Sequence, residues 1–78
     1  MQRIELASTT LAWVRYSPER LVLELGFHHG GVYAYFDVPP ATYNDLLAAD
    51  SKGRYFNHHI RNNFRAQPVP LTMRSAEN

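Results

Sequence analysis

The sequence contains no cysteine among its 78 residues, so neither disulfide bonds nor thiolate metal sites can reinforce the fold. No apolar run approaches the ~20 residues that a membrane-spanning helix needs. The amino terminus also lacks the long apolar centre of a signal peptide. A chain of this length is expected to form one small domain that buries only about 60% of the surface of its unfolded form. We therefore predict a cytoplasmic protein whose stability depends on side-chain packing.

Signatures of catalysis are also missing from the sequence. It has no nucleophile elbow, no glycine-rich phosphate loop and no pair of helix histidines flanking a glutamate. The pairs His28-His29 and His58-His59 are sequence neighbours, whose side chains point apart on a strand or a helix, so they do not predict a metal site. We predict a protein that is not an enzyme and needs neither a metal nor another cofactor.

The charges that are present are distributed unevenly along the chain. The formal net charge is only +1. Residues 1–50 carry three arginines and six acidic residues, a net −3, whereas residues 51–78 carry five basic residues and one acidic residue, a net +4. A basic half on a nearly neutral protein can attract a polyanion locally.

Three segments predict antiparallel strands. Residues 10–16 are rich in bulky side chains, and a turn containing Pro18 follows them. Residues 21–27 alternate so that their leucines and Phe27 share one buried face. Residues 32–36 form a third strand, and residues 4–6 allow a short fourth.

The register of the hairpin between the second and third strands decides where Tyr33 and Tyr35 point, because a slip of one residue reverses the faces. A loop of three residues, with Gly30 at positive φ, places both tyrosines on the leucine face. A loop with an even number of residues places them on the opposite face. We favour the first register because glycine is required only where the chain adopts positive φ.

Two helices are predicted after the third strand. Pro40 suits a first helical turn, and residues 41–49 form a short amphipathic helix. Ser51 can cap the helix that follows. The predicted fold is α+β: an antiparallel meander of three strands, with a short fourth as an option, and two carboxyl-terminal helices packed on one face. We predict one domain over residues 1–66 and a flexible tail over residues 67–78.

Residues 51–65 combine an apolar and a basic stripe. In a helix, Phe56, Ile60 and Phe64 recur every four residues and would dock on the sheet. The basic stripe would lie within about 40° of one direction; its members are Arg54, His58, Arg61 and Arg65. The pattern predicts a helix that packs through its apolar residues and presents cations to a ligand.

Many of these residues together resemble a known family. The resemblance is carried by Tyr16, residues 23–27, Gly30, residues 33–39 and Tyr43, and most specifically by residues 49–57 with Ile60, Arg61 and Phe64. They resemble the KTSC domain, a small module at the carboxyl end of some lysyl-tRNA synthetases that also occurs as a free-standing bacterial protein. The resemblance covers about two thirds of the chain. By association with a tRNA-charging enzyme, it implies RNA binding.

The leading functional hypothesis is therefore a surface that binds RNA such as tRNA. Basic side chains would contact phosphates; these are Lys52, Arg54, Arg61 and Arg65, with His58 as a titratable member. Tyr33, Tyr35 or Tyr55 would offer a surface for base stacking.

Alternatives to this hypothesis stay open at the level of sequence. The cations can form a solvated helix face, and Arg61 can pair internally; the candidate partners are Asp37, Asp45 and Asp50. The tyrosines can simply fill the core. The rival function is a protein-interaction module or homodimer, joined through a sheet edge or through the outer sheet face, which bears Trp13, Val22 and Phe36.

Overall fold

The computed structural model describes residues 3–70 of the chain. In chain order its elements are β1 (Ile4–Glu5), β2 (Leu11–Ser17), β3 (Val22–Phe27), β4 (Val32–Tyr35), α1 (Pro40–Ala48), α2 (Lys52–Tyr55), a π-helical turn (Phe56–Ile60) and β5 (Ala66–Pro68). The strands form one antiparallel sheet in the order β1-β2-β3-β4-β5. The predicted α+β class is confirmed. Within the described range, no helix has the length and apolarity to cross a membrane.

The hydrophobic core lies between one face of the sheet and the helices. Val14, Leu23 and Leu25 are fully buried on this inner face. The helical layer supplies Leu46 and Ile60, also fully buried, to the same cluster. Each such side chain contributes about 1.5–3 kcal/mol of burial free energy. The predicted packing of both helices on one face of the sheet is confirmed.

The first helix matches its prediction closely. Pro39 is its N-cap and Pro40 occupies its first turn, where a missing backbone N–H costs no hydrogen bond. Leu46 is buried, and Tyr43 and Leu47 pack against the core cluster. One side of α1 thus covers the sheet.

The β3–β4 hairpin has the three-residue loop that we favoured. Gly30 adopts φ 109°. The Phe27 N–H donates to the Gly31 carbonyl at 2.8 Å, which closes the loop. Tyr33 pairs with Leu25 and Tyr35 with Leu23, so both tyrosines lie on the leucine face. The register prediction is confirmed.

Leu21 does not belong to the second predicted strand. Strand β3 begins at Val22, and Leu21 adopts φ 57°, a left-handed conformation that is uncommon for a branched side chain. Its carbonyl accepts a hydrogen bond from the Val38 N–H at 2.9 Å. Leu21 therefore ends the turn and ties it to the segment before α1.

The sheet has one strand more than the largest number predicted. The short fourth strand exists as β1, but β5 was not anticipated. Ala66–Pro68 pairs with β4, and the Val69 N–H donates to the Val32 carbonyl at 2.8 Å. Gln67 and Pro68 are therefore part of the sheet and Val69 is hydrogen-bonded to it, beyond the predicted domain end at residue 66. Residues 71–78 of the predicted tail lie outside the described residues.

The outer face of the sheet carries Trp13 directly over Gly26. A β-bulge between Leu11 and Trp13 shifts the register of β2 against β3. A Cβ atom on Gly26 would lie 2.2 Å from the Trp13 ring. Gly26 is therefore required by the close approach of the indole.

We expect Gly26→Ala to lower the free energy of unfolding by about 1–3 kcal/mol, because the added methyl group must displace the indole or the backbone. Urea denaturation followed by circular dichroism measures the change. In a Trp13→Ala background the same substitution should cost much less. An equal cost in both backgrounds would show that the indole is not the cause.

Tyr16 joins the sheet to the segment before α1. Its hydroxyl donates a hydrogen bond of 2.6 Å to the Val38 carbonyl, and its ring stacks on Tyr43 with centroids 4.6 Å apart. Burial raises the pKa of Tyr16 above its usual value. The folded state therefore keeps this hydroxyl neutral at a pH where the unfolded chain ionises it.

We expect Tyr16→Phe to lower the free energy of unfolding by about 1 kcal/mol at neutral pH, since the Val38 carbonyl loses its partner. The contribution of a neutral Tyr16 is complete below the unfolded pKa of about 10 and is lost as pH rises through the raised folded pKa. The stability difference between wild type and variant should therefore shrink at alkaline pH. Urea denaturation at neutral and at about pH 10.5 tests this, and a difference that grows with pH would contradict it.

Candidate nucleic-acid interface

The basic segment begins at a capped helix start. The Ser51 hydroxyl accepts a hydrogen bond from the Arg54 N–H at 3.3 Å, as the sequence predicted. Helix α2 then continues into the π-helical turn, which the Arg61 N–H closes by donating to the Phe56 carbonyl at 2.9 Å. The helical part of the segment ends at Ile60, earlier than the sequence pattern predicted.

The apolar residues of the segment attach it to the sheet. Phe56 packs edge-on against Phe27 and Tyr35, with ring centroids 5.3 Å and 5.7 Å apart. Ile60 is fully buried, and Phe64 packs against the core from the non-helical chain beyond the turn. The docking role predicted for these residues is therefore confirmed, although Phe64 reaches the core without a continuous helix.

The four predicted cations do not form a single row. In the π-helical turn, backbone hydrogen bonds join residues five positions apart instead of four. Side chains after the turn therefore no longer follow the α-helical period. Arg65 lies outside the helix, and its guanidinium sits 4.7 Å from the centroid of the Phe36 ring. Phe36 and Ala34 line the same groove as Val22 and Glu24, on the face opposite the helices. Arg65 is thus on the outer sheet face, and its predicted alignment with Arg54 was wrong.

Lys52 and Arg54 lie at a polar cleft of about 380 Å³ between the start of α2 and the connection from β1 to β2. The lining residues are Ala7, Ser8, Thr9, Thr10, Asp50, Ser51, Lys52, Gly53, Arg54 and Asn57. The Lys52 ammonium donates to the Ala49 carbonyl at 3.0 Å, where it neutralises part of the negative end of α1. Hydroxyl, amide, carboxylate and cationic groups therefore surround one open space, with Asp50 as its acidic member.

The basic side chains of the helical segment are not neutralised by carboxylates. Among the described residues, the ion pair found is Arg15 with Glu24, at 2.6 Å on the outer face. Within that part of the chain, Lys52, Arg54 and Arg61 form no ion pair. The proposed internal partners of Arg61 do not hold it; these were Asp37, Asp45 and Asp50. Among the described residues, no carboxylate therefore lies within ion-pair distance of these cations, although Asp50 lines the same cleft as Lys52 and Arg54.

The three candidate tyrosines differ in exposure. Tyr35 is 5% exposed and belongs to the core, whereas Tyr33 on the same face is 36% exposed. Burial raises the pKa of Tyr35, Tyr33 adds to the rise and the positive charge of Arg61 opposes it. Tyr33 and Arg61 therefore have opposite effects on the ionisation of the Tyr35 hydroxyl.

Tyr55 has a different environment. It is half-buried, and the His59 ring lies against it with centroids 4.5 Å apart. Burial raises the pKa of Tyr55, and the carboxylate of Asp45 adds to the rise. The His59 ring therefore occupies part of the surface that Tyr55 would offer to a base.

The histidines serve local contacts. His28 Nε2 donates to the Ser8 carbonyl at 2.8 Å, and His29 stacks on Phe27. His58 is exposed in the π-helical turn, beside His59. In residues 3–70, no three or more histidine, aspartate or glutamate side chains converge where they could share a metal ion.

Two features of the structure were not predicted from the sequence. Arg3 lies over the Trp13 ring at 4.9 Å, as Arg65 lies over Phe36, so cations cover two half-buried aromatic rings of the outer face. The π-helical turn was also missed, because its residues follow the same four-residue apolar spacing as an α-helix. Neither feature has a short-range sequence signal.

The geometry defines a class of protein: a small α+β module in which two helices cover one face of an antiparallel sheet and a basic segment follows the first helix. Residues 7–64 match the KTSC domain. The chain belongs to the KTSC domain family.

Relatives of similar length support this assignment. The chain is 41% identical over 66 residues to a protein of Tsukamurella paurometabola, an alignment that covers 85% of this chain and 96% of the relative. It is 46% identical over 57 residues to an uncharacterized protein of Stutzerimonas stutzeri, covering 73% and 80% of the two chains. The crystal structure of a KTSC domain protein from Yersinia pestis matches with a TM-score of 0.86 at 30% identity, covering 88% of this chain and 97% of that one.

The same module occurs within larger proteins. The chain is 42% identical over 54 residues to the lysine–tRNA ligase of Nostoc punctiforme. The match covers 69% of this chain but only 10% of the ligase. The relationship is therefore to one small part of that enzyme.

We expect Ser51→Ala to lower the free energy of unfolding by about 1 kcal/mol, because the Arg54 N–H loses its side-chain acceptor. Ser51→Asp should retain most of the stability, since a carboxylate also caps a helix start. Urea denaturation of the three proteins compares them. An alanine variant as stable as wild type would show that this cap does not hold the segment in place.

Proposed function

We propose that this protein is a non-catalytic module that binds RNA through the basic segment beginning at Lys52. The observation that carries the proposal is the absence of carboxylate partners for Lys52, Arg54 and Arg61 within residues 3–70. A cation that is not paired internally can neutralise a phosphate without first breaking an ion pair. A cytoplasmic location, expected from the sequence, belongs to the same proposal.

The shape of the surface supports a polyanion as ligand. Arg54 lies at the polar cleft beside the β1–β2 connection, and Arg61 follows the π-helical turn near Tyr35. These two cations are separated by a whole helical segment, which suits successive phosphates of a chain better than one small anion. His58 is exposed between them in the sequence and adds a hydrogen-bond donor to the same segment.

The relatives add support of a different kind. Lysine–tRNA ligases act on tRNA, as their name states, and some of them contain a segment similar to this chain. An accessory domain in such an enzyme can hold RNA near the active site. We extend that use to the free-standing protein as a proposal.

The protein-interaction hypothesis receives less support from the geometry. The edge strands are short, with two residues in β1 and three in β5, and Pro68 lies in β5. Short edges and proline both oppose pairing with another sheet. On the outer face, Arg3 and Arg65 cover aromatic rings that a partner would otherwise meet. Sedimentation at several concentrations would reveal a dimer.

We expect the double variant Arg54→Glu/Arg61→Glu to weaken RNA binding at least tenfold, because two phosphate contacts become repulsive. With three cations engaged, raising salt from about 50 mM to about 200 mM should weaken wild-type binding to a single strand roughly 20-fold, and the variant should show a shallower dependence. Fluorescence anisotropy with a labelled RNA oligonucleotide or tRNA measures both effects.

The matched control is Arg3→Glu/Arg20→Glu, which makes the same change in net charge away from the basic segment. Arg20 lines the outer groove, and Arg3 lies over Trp13. This control should bind RNA within about threefold of wild type. Equal losses in the two double variants would mean that general charge, not the basic segment, attracts RNA.

A further inference from the structure

Tyr33 is a large hydrophobic side chain that remains exposed to solvent. Among residues 3–70, the large hydrophobic side chains classed as exposed are Ile4, at 44%, and Tyr33, at 36%. Ile4 lies in the two-residue edge strand β1. Tyr33 lies in β4, flanked by Leu25 on β3 and by Pro68 on β5. Tyr33 therefore has a paired strand on each side and still exposes its side chain.

The Tyr33 ring also contacts a neighbouring aromatic side chain. Phe27 contacts it edge-on, with centroids 6.0 Å apart and planes at 84°. Phe27 in turn stacks on His29 and packs edge-on against Phe56 of the core. A ring held by such a chain of aromatic contacts loses little conformational freedom when a ligand stacks on it.

Arg61 adjoins the aromatic cluster to which Tyr33 belongs. The Arg61 N–H donates to the Phe56 carbonyl at 2.9 Å, Phe56 packs against Phe27, and Phe27 contacts Tyr33. Among the described residues, Arg61 has no carboxylate partner. A planar group stacked on Tyr33 would therefore bring an attached anion toward Arg61.

The other candidate tyrosines cannot provide this surface. Tyr35 is almost completely buried against Phe56. Tyr55 is half-buried, with the His59 ring against it. Of the three, Tyr33 alone is exposed.

We infer that Tyr33 is a base-stacking position and that the preferred ligand is a single-stranded polynucleotide with an unpaired base. The inference rests on the proposed RNA binding and specifies its ligand class. In a duplex, the faces of the bases are already stacked on their neighbours, so Tyr33 has no base face to contact. In a single strand, a base stacks on the ring while its phosphate lies near Arg61.

The test compares two probes of equal length: a labelled single-stranded RNA of about 12 nucleotides and the corresponding RNA duplex. Wild type should bind the single strand more tightly. Tyr33→Ala should weaken single-strand binding about tenfold and leave duplex binding unchanged, whereas Tyr33→Phe should retain wild-type affinity. Because no charge is removed, the salt dependence of Tyr33→Ala should equal that of wild type.

The control is Ile4→Ala, which removes the other exposed large apolar side chain and should not change RNA affinity. Circular dichroism checks the fold of each variant. NMR of wild type provides a measurement that needs no substitution: single-stranded RNA should shift the Tyr33 ring protons and not those of Tyr35.

The results distinguish RNA binding by the basic segment from base stacking on Tyr33. If Arg54→Glu/Arg61→Glu loses binding but Tyr33→Ala does not, RNA binding stands and base stacking on Tyr33 is wrong. Duplex affinity equal to single-strand affinity, or unshifted Tyr33 ring protons, also overturns the stacking inference. If wild type binds neither probe, both proposals fail.

Discussion

The packing of Phe56 between Phe27 and Tyr35 is the contact on which the rest of this structure depends. Edge-on contacts of 5.3 Å and 5.7 Å join the helical layer to two neighbouring strands at once. Aromatic pairs in this geometry add about 0.5–1.5 kcal/mol beyond the burial of their area. Because Phe56 is anchored, Arg54 and Arg61 on either side of it are held at the protein surface.

The two faces of the sheet have different physical roles. The inner face carries a core of aliphatic and aromatic side chains under the helices. On the outer face, Arg3 covers Trp13, Arg65 covers Phe36, and Arg15 pairs with Glu24. Guanidiniums stacked on aromatic rings leave the outer face charged as well as apolar. Within the described residues, no ion pair or cation–ring contact involves the cations of the basic helical segment. For this reason the functional proposal concerns the basic segment and not the outer face of the sheet.

Much of the fold could be predicted from local patterns, while the candidate site could be predicted only in part. The apolar spacing identified Phe56 and Ile60 as buried, because both α-helical and π-helical turns bury residues four positions apart here. The same spacing misplaced Arg65, since the helix ends at Ile60 and no residue pattern marks that end. Strand β5 was missed because it is short, contains Pro68 and is formed only by pairing with β4.

By itself, the sequence determined the α+β class, the capped start at Ser51 and the hairpin register set by Gly30. These features depend on residues a few positions apart, where propensity, period and turn chemistry act directly. Only the tertiary structure decided that Tyr33 is accessible while Tyr35 is buried, and that Arg61 lacks a carboxylate partner in the described residues. Exposure and ion pairing depend on which distant segments pack nearby, and Phe56 brings those segments together across the sheet.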